Sequence, residues 1–199
     1  QPLKSPLAEV DATANMAAPS PNIKWAVATV SLGKHASHTL DRKLAAAAKF
    51  GFQGIELVYA DLMGYAAQNQ LPPLQAAEQI GALCKQLGLQ ILSLNPLKNF
   101  EGNLTVPLTE RLAQAAEWVD LAAAAGAHSV QVPSQFAPHS TGDFAVIVPE
   151  LRALADLAAA RGVGVAYEAV AFAAHHATWQ DSLRIATAVG RAGFGLCLD

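Results

Sequence analysis

From Lys24 onward the chain repeats one pattern. An apolar stretch of strand length is followed by polar loop residues, then a helical period, then a glycine, then the next apolar stretch. The apolar stretches are residues 25–32, 54–58, 89–94, 129–132, 163–167 and 194–198. They read as almost continuously apolar, with little alternation, which predicts parallel strands covered on both sides. The segments between them carry the 3.6-residue period. Leu74, Ala77, Ile80, Cys84 and Leu87 share one face, Leu108, Leu112, Ala115, Val119 and Ala122 another, and Ile147, Leu151, Leu154 and Ala158 a third. Five helices are expected. Thr39 marks the start of the first, and Thr178 with Asp181 forms a capping-box pattern at the start of the last.

A glycine closes each unit, at Gly51, Gly88, Gly126, Gly162 and Gly190, and the first four recur every 36 to 38 residues. Glycine is the residue that takes the left-handed conformation after a helix without penalty. So regular a repeat predicts an α/β array of parallel strands joined by right-handed helical crossovers. A doubly wound sheet would place a glycine-rich phosphate loop after its first strand. Here that place reads Ser31-Leu32-Gly33-Lys34-His35, with a single glycine. The better fit is a (β/α)8 barrel, incomplete, with about six strands and five helices across residues 23–199. Residues 1–22 are rich in Pro, Ser and Ala without a period and are expected to be a disordered leader, with Met16 an alternative start.

Composition narrows the function. The chain is 52% hydrophobic and 15% charged, with a formal net charge of -3 and its Lys and Arg scattered. No basic stripe exists to track phosphates, so nucleic acid is not an expected partner. No apolar run is long enough to span a bilayer, and no apolar stretch follows Lys4 as a secretory signal would require. Cys84 and Cys197 lie far apart in apolar segments, without disulfide or zinc spacing, which suits a reducing compartment such as the cytoplasm. The expected ligand is a small molecule.

Barrel sites lie at the C-terminal ends of the strands. The residues there are Ser31, with His35 and His38 beyond; Glu56, then Tyr59 and Asp61; Asn95, Pro96 and Lys98; Gln131, Ser134 and Gln135; Glu168, with His175 and His176 beyond; and Asp199. Glu56, Glu168 and Asp199 thus stand within or at the ends of apolar strands. An isolated buried carboxylate costs several kcal/mol. A shared divalent cation removes that cost, and oxygen ligands favour Mg²⁺ or Mn²⁺. Each has a plainer alternative. Glu168 could accept bonds from loop amides, Glu56 could pair with Lys34 or Lys98, Asp199 could fray, and His175 and His176 could be solvated loop residues.

The ordered set of motifs resembles a known family. Ala26-Val27-Ala28-Thr29-Val30-Ser31-Leu32-Gly33, then Gly51-Phe52-Gln53-Gly54-Ile55-Glu56-Leu57, is similar to the opening of fungal 3-dehydroshikimate dehydratases, which have a xylose-isomerase-like barrel. Asn95-Pro96, Phe100-Glu101-Gly102, Val130-Gln131-Val132-Pro133-Ser134, Tyr167-Glu168-Ala169, Thr178-Trp179 and Gly195-Leu196-Cys197-Leu198-Asp199 continue the resemblance. It implies conversion of 3-dehydroshikimate to protocatechuate in quinate and shikimate catabolism. It also implies a divalent metal, Mg²⁺ or Mn²⁺, held by four side chains. Glu168 and Asp199 match the first two, and the other two would follow residue 199. By the same resemblance His175 is the expected catalytic base, and Lys98, Ser134, Gln131 and Glu56 are expected substrate contacts. A sugar isomerase or epimerase on the same barrel, or a truncated non-catalytic fragment, are the alternatives.

Overall fold

A computed structural model describes residues 23–199. The expected leader lies outside the described residues. Six parallel strands form one sheet in the order β1-β2-β3-β4-β5-β6. These are β1 (Ala26–Ala28), β2 (Gly54–Val58), β3 (Gln90–Asn95), β4 (Ser129–Pro133), β5 (Gly164–Glu168) and β6 (Phe194–Cys197). The helices are α1 (Leu40–Lys49), α2 (Tyr59–Gln68), α3 (Pro73–Gln86), α4 (Leu108–Ala125), α5 (Phe144–Ala159) and α6 (Trp179–Val189). Strand order follows chain order throughout, which is the winding of a barrel rather than of a doubly wound sheet.

Two elements differ from the sequence expectation. The first strand stops at Ala28, and a 3₁₀ turn occupies Thr29–Leu32. Thr29 is fully buried and its Oγ1 accepts the Val58 N–H at 3.1 Å, so the side chain takes a bond that another strand residue would supply. Helix α2 is the second addition. Leu62 and Ala66, four residues apart, bury one face of it, and Pro72 then starts α3. The weak apolar face and Gly64 hid this helix in the sequence. The helix ends behave as expected. Gly126 and Gly190 follow α4 and α6 with φ of 73° and 59°. The Thr178 and Asp181 side chains each accept from the other residue's backbone N–H, completing the capping box of α6.

The strands are not uniformly apolar, and this difference matters for function. Ile55, Leu57, Val130, Val132, Val165 and Tyr167 are buried under the helices. Between them alternate Gly54 and Glu56, Ser129 and Gln131, and Gly164, Ala166 and Glu168. The parallel register aligns Ala28 with Glu56, Glu56 with Ser93, Ser93 with Ser129, Gln131 with Ala166, and Glu168 with Cys197. Residues in register share a face. One face of the sheet therefore carries large apolar side chains and forms the core against the helices. The other carries mostly small or polar ones, with Leu92 among them, and is left open.

Candidate active site

That open face bounds a cavity of about 450 Å³. Every strand contributes to its lining, including Ala28, Glu56, Ser93, Ser129, Ala166, Glu168 and Cys197, with Ser31 and Asp199 at the strand ends. Three carboxylates line it, and no Lys, Arg or His does.

Glu168 ends β5 half-buried. Its Oε2 accepts from Gln131 Nε2, and it shares the cavity lining with Asp199. Burial holds the Glu168 carboxyl above the usual range, and the charges of Asp199 and Glu56 add to that rise. Two unit charges ~4 Å apart repel by about 4 kcal/mol at the effective dielectric of a protein surface, so crowding of this kind has a real cost. Cys197 reports the same field. Burial first, then Glu168, Glu56 and Asp199, push its thiol up to about 11, which keeps it protonated and unreactive. Glu56 sits deeper on β2, and its Oε1 accepts from Ser93 Oγ at 3.0 Å. It pairs with neither Lys34 nor Lys98, the partners suggested by the sequence, because the β2–β3 register sets Ser93 beside it.

The other sequence-expected residues take different places. Gln131 is buried with its amide nitrogen on Glu168. Ser134 is fully buried; its Oγ accepts the Val170 N–H and its own N–H donates to the Glu168 carbonyl, so it fastens the loop after β5. Lys98 opens on a separate cavity of about 370 Å³ with Asn99, Asn103, Arg111, Gln114 and Trp118. His175 lies on the loop after β5, outside the lining of the carboxylate cavity. Its Nε2 meets Ser140 Oγ at 3.1 Å, and that hydroxyl donates its one proton to the Ala137 carbonyl, so at His175 it accepts. His176 Nε2 donates to the Gly142 carbonyl. The two histidines thus tie the β4–α5 loop to the β5–α6 loop. Tyr59 stacks on Trp118, and Asp61 is bonded at 2.8 Å by the buried Lys43, so both face the helices.

Two residues were missed in the sequence. Ser93, which holds Glu56, and Cys197, which completes the lining, both sit on the open face. The signal was the alternation itself: small or polar residues spaced by two within apolar runs.

Glu168 and Asp199 would offer two oxygen ligands from neighbouring strand ends. Among the described residues no third His, Cys, Asp or Glu stands close enough to complete a group that holds an ion. Glu56 shares the cavity but is held back by Ser93. Two carboxylates facing one cavity, with no Lys, Arg or His in its lining, fit one half of a divalent metal site.

A parallel βα array with acidic groups gathered at the strand ends defines a barrel-type protein with its site at the C-terminal face. Residues 44–199 match the model of the xylose isomerase-like TIM barrel family, and the chain belongs to that family. It is similar to 3-dehydroshikimate dehydratase of Neurospora crassa, at 32% identity over 193 residues, covering 88% of this chain and 54% of that protein. It is likewise similar to 3-dehydroshikimate dehydratase of Pseudomonas aeruginosa, at 35% identity over 173 residues, covering 87% of this chain and 25% of that protein. Among solved structures, a xylose isomerase-like TIM barrel/4-hydroxyphenylpyruvate dioxygenase fusion protein superposes with a TM-score of 0.77 at 31% identity, over 87% of this chain and 26% of that one. The chain therefore spans about half the length of the Neurospora relative and a quarter of the Pseudomonas one.

Proposed function

We propose that this chain forms part of a cytoplasmic 3-dehydroshikimate dehydratase, a hydro-lyase that removes water from 3-dehydroshikimate to give protocatechuate in quinate and shikimate catabolism. Glu168 and Asp199 would hold Mg²⁺ or Mn²⁺. The observation that carries this reading is the pair of carboxylates, Glu168 at the end of β5 and Asp199 just past β6, facing one cavity and unneutralised by any basic side chain in it. Similarity to two dehydratases over nearly nine-tenths of the chain supports the choice of substrate.

The charge balance supports it too. The substrate is a carboxylate anion, and it would enter a cavity lined by three acids. A bound dication supplies Lewis acidity to a substrate carbonyl and offsets that negative field. Glu168 and Asp199 provide hard oxygen ligands of the type Mg²⁺ and Mn²⁺ prefer. Glu56 has one oxygen on Ser93 and keeps the other for a ring hydroxyl. The cavity's volume of about 450 Å³ is ample for a six-membered ring.

The test uses a full-length protein that contains this chain, supplied with Mn²⁺ and 3-dehydroshikimate. Protocatechuate absorbance should rise. It should fall at least ~100-fold in Glu168→Gln and Asp199→Asn, as expected when a Lewis acid worth several kcal/mol is lost. A flat absorbance trace with the intact protein overturns the assignment.

A further inference from the structure

We infer that Gln131 is a positioning residue, whose amide on β4 sets the Glu168 carboxylate in the orientation from which a divalent cation is held. This rests on the reading of Glu168 and Asp199 as cation ligands.

The two ends of the Gln131 amide are treated unequally. Nε2 donates to Glu168 Oε2, across a separation of 37 residues in sequence. Oε1 is buried with no hydrogen-bond partner. A glutamine placed only to fill the core would satisfy both ends, because a buried acceptor left bare is destabilising. Turning the amide over would remove its donor from Glu168 and set a carbonyl oxygen against a carboxylate. The carboxylate therefore fixes the amide, and the amide in turn fixes the carboxylate.

The backbone holds both residues in place. The Gln131 carbonyl accepts the Leu97 N–H at 2.9 Å, and the Glu168 carbonyl accepts the Ser134 N–H at 2.7 Å. The strand register aligns Gln131 with Ala166, two residues before Glu168, so the long amide reaches diagonally over a small side chain to the carboxylate. With Oε2 bound to the amide, Glu168 cannot turn freely, and its other oxygen is the one left to meet an ion. Direct contact with a substrate is not supported for Gln131: it is buried, does not line the cavity, and turns its amide nitrogen to Glu168. Groups that orient metal ligands in this way commonly change metal affinity by about 10- to 100-fold when removed.

The test compares a full-length protein that contains this chain with its Gln131→Met and Glu168→Gln variants. Methionine keeps the length and most of the volume of glutamine but neither donates nor accepts strongly. Mn²⁺ affinity is read from the electron paramagnetic resonance signal of the free ion, and stability from the thermal midpoint. The expected result for Gln131→Met is Mn²⁺ affinity lowered about 10- to 100-fold, with the midpoint unchanged or raised. A lowered midpoint with wild-type affinity would make Gln131 a packing residue and overturn the inference. Wild-type Mn²⁺ binding that Glu168→Gln abolishes and Gln131→Met leaves intact overturns this inference alone. No Mn²⁺ binding by the wild-type full-length protein removes the cation reading and this inference with it. A second measurement needs no metal. The side-chain amide resonance of Gln131 should move when Glu168→Ala removes its acceptor, and an unmoved resonance also overturns the inference.

Discussion

Glu101 shows how a single carboxyl can couple this fold to pH. It is fully buried, and its Oε1 accepts from the Tyr167 hydroxyl at 2.9 Å and from the Gln135 N–H at 2.7 Å. Its Oε2 is buried without a partner. Burial pushes the carboxyl up to about 7, against the opposing pull of those hydrogen bonds. The folded state therefore holds a proton that the unfolded state has already lost between about pH 4.5 and 7. The stability from protonated Glu101 is full below the unfolded value and is lost as pH rises through about 7. The shift corresponds to about 3 kcal/mol at most. Urea unfolding at pH 5 and pH 8 should show this loss in the wild type, and Glu101→Gln should flatten it. Equal pH slopes in the two proteins would contradict the account. His175 gives a second prediction at this scale. Its ring sits on Ser140, outside the acid-lined cavity. His175→Ala in the full-length protein should leave turnover within ~3-fold, whereas removing a general base typically costs ~10²–10⁴-fold. A loss of that larger size would return His175 to the site.

Among the elements, α4 and α5 are joined by a buried charge pair. Arg111 meets both Glu150 oxygens, at 2.9 and 2.7 Å, and the Gly102 N–H donates to Glu150 Oε2 at 2.7 Å. Arg111 also donates to the Phe100 and Val106 carbonyls, so one guanidinium holds the long β3–α4 loop to two helices. Arg111→Ala would leave Glu150 buried and unpaired, and should cost about 3–5 kcal/mol in urea unfolding. Replacing both partners, as Arg111→Met with Glu150→Leu, should cost far less, because no bare charge remains. Much of the element layout was legible in the chain. The glycine-closed units, three helix faces and the Thr178–Asp181 box are local patterns, fixed by residues within a few positions of one another. Glu168 and Asp199 were legible for a similar reason: each ends an apolar strand. Helix α2 was not, because only Leu62 and Ala66 mark its face. Nor was the Gln131–Glu168 contact, or the Ser93–Glu56 one. Each depends on how neighbouring strands align, and one of those alignments contains a bulge after Ile55.

At the scale of the whole molecule, β1 and β6 are the outer strands of the described sheet, and each has an edge with no strand partner among the described residues. Trp25, Trp179 and Leu198 near those edges are more than half exposed. Open strand edges flanked by apolar side chains invite pairing. The 199-residue chain should therefore associate as its concentration rises, and Leu198→Lys should reduce this; sedimentation showing a monomer at every concentration would contradict it. The open face has a further consequence. Part of its volume lies over Ala28 and Ala166, whose single methyl groups leave room that a longer side chain would take. Over those two positions, room is set by side-chain size rather than by charge. A Leu in place of Ala166 would bring methyl groups into that void without altering an acid, so vacancy and electrostatics become separable: one residue can close the vessel while every ligand atom stays where it was.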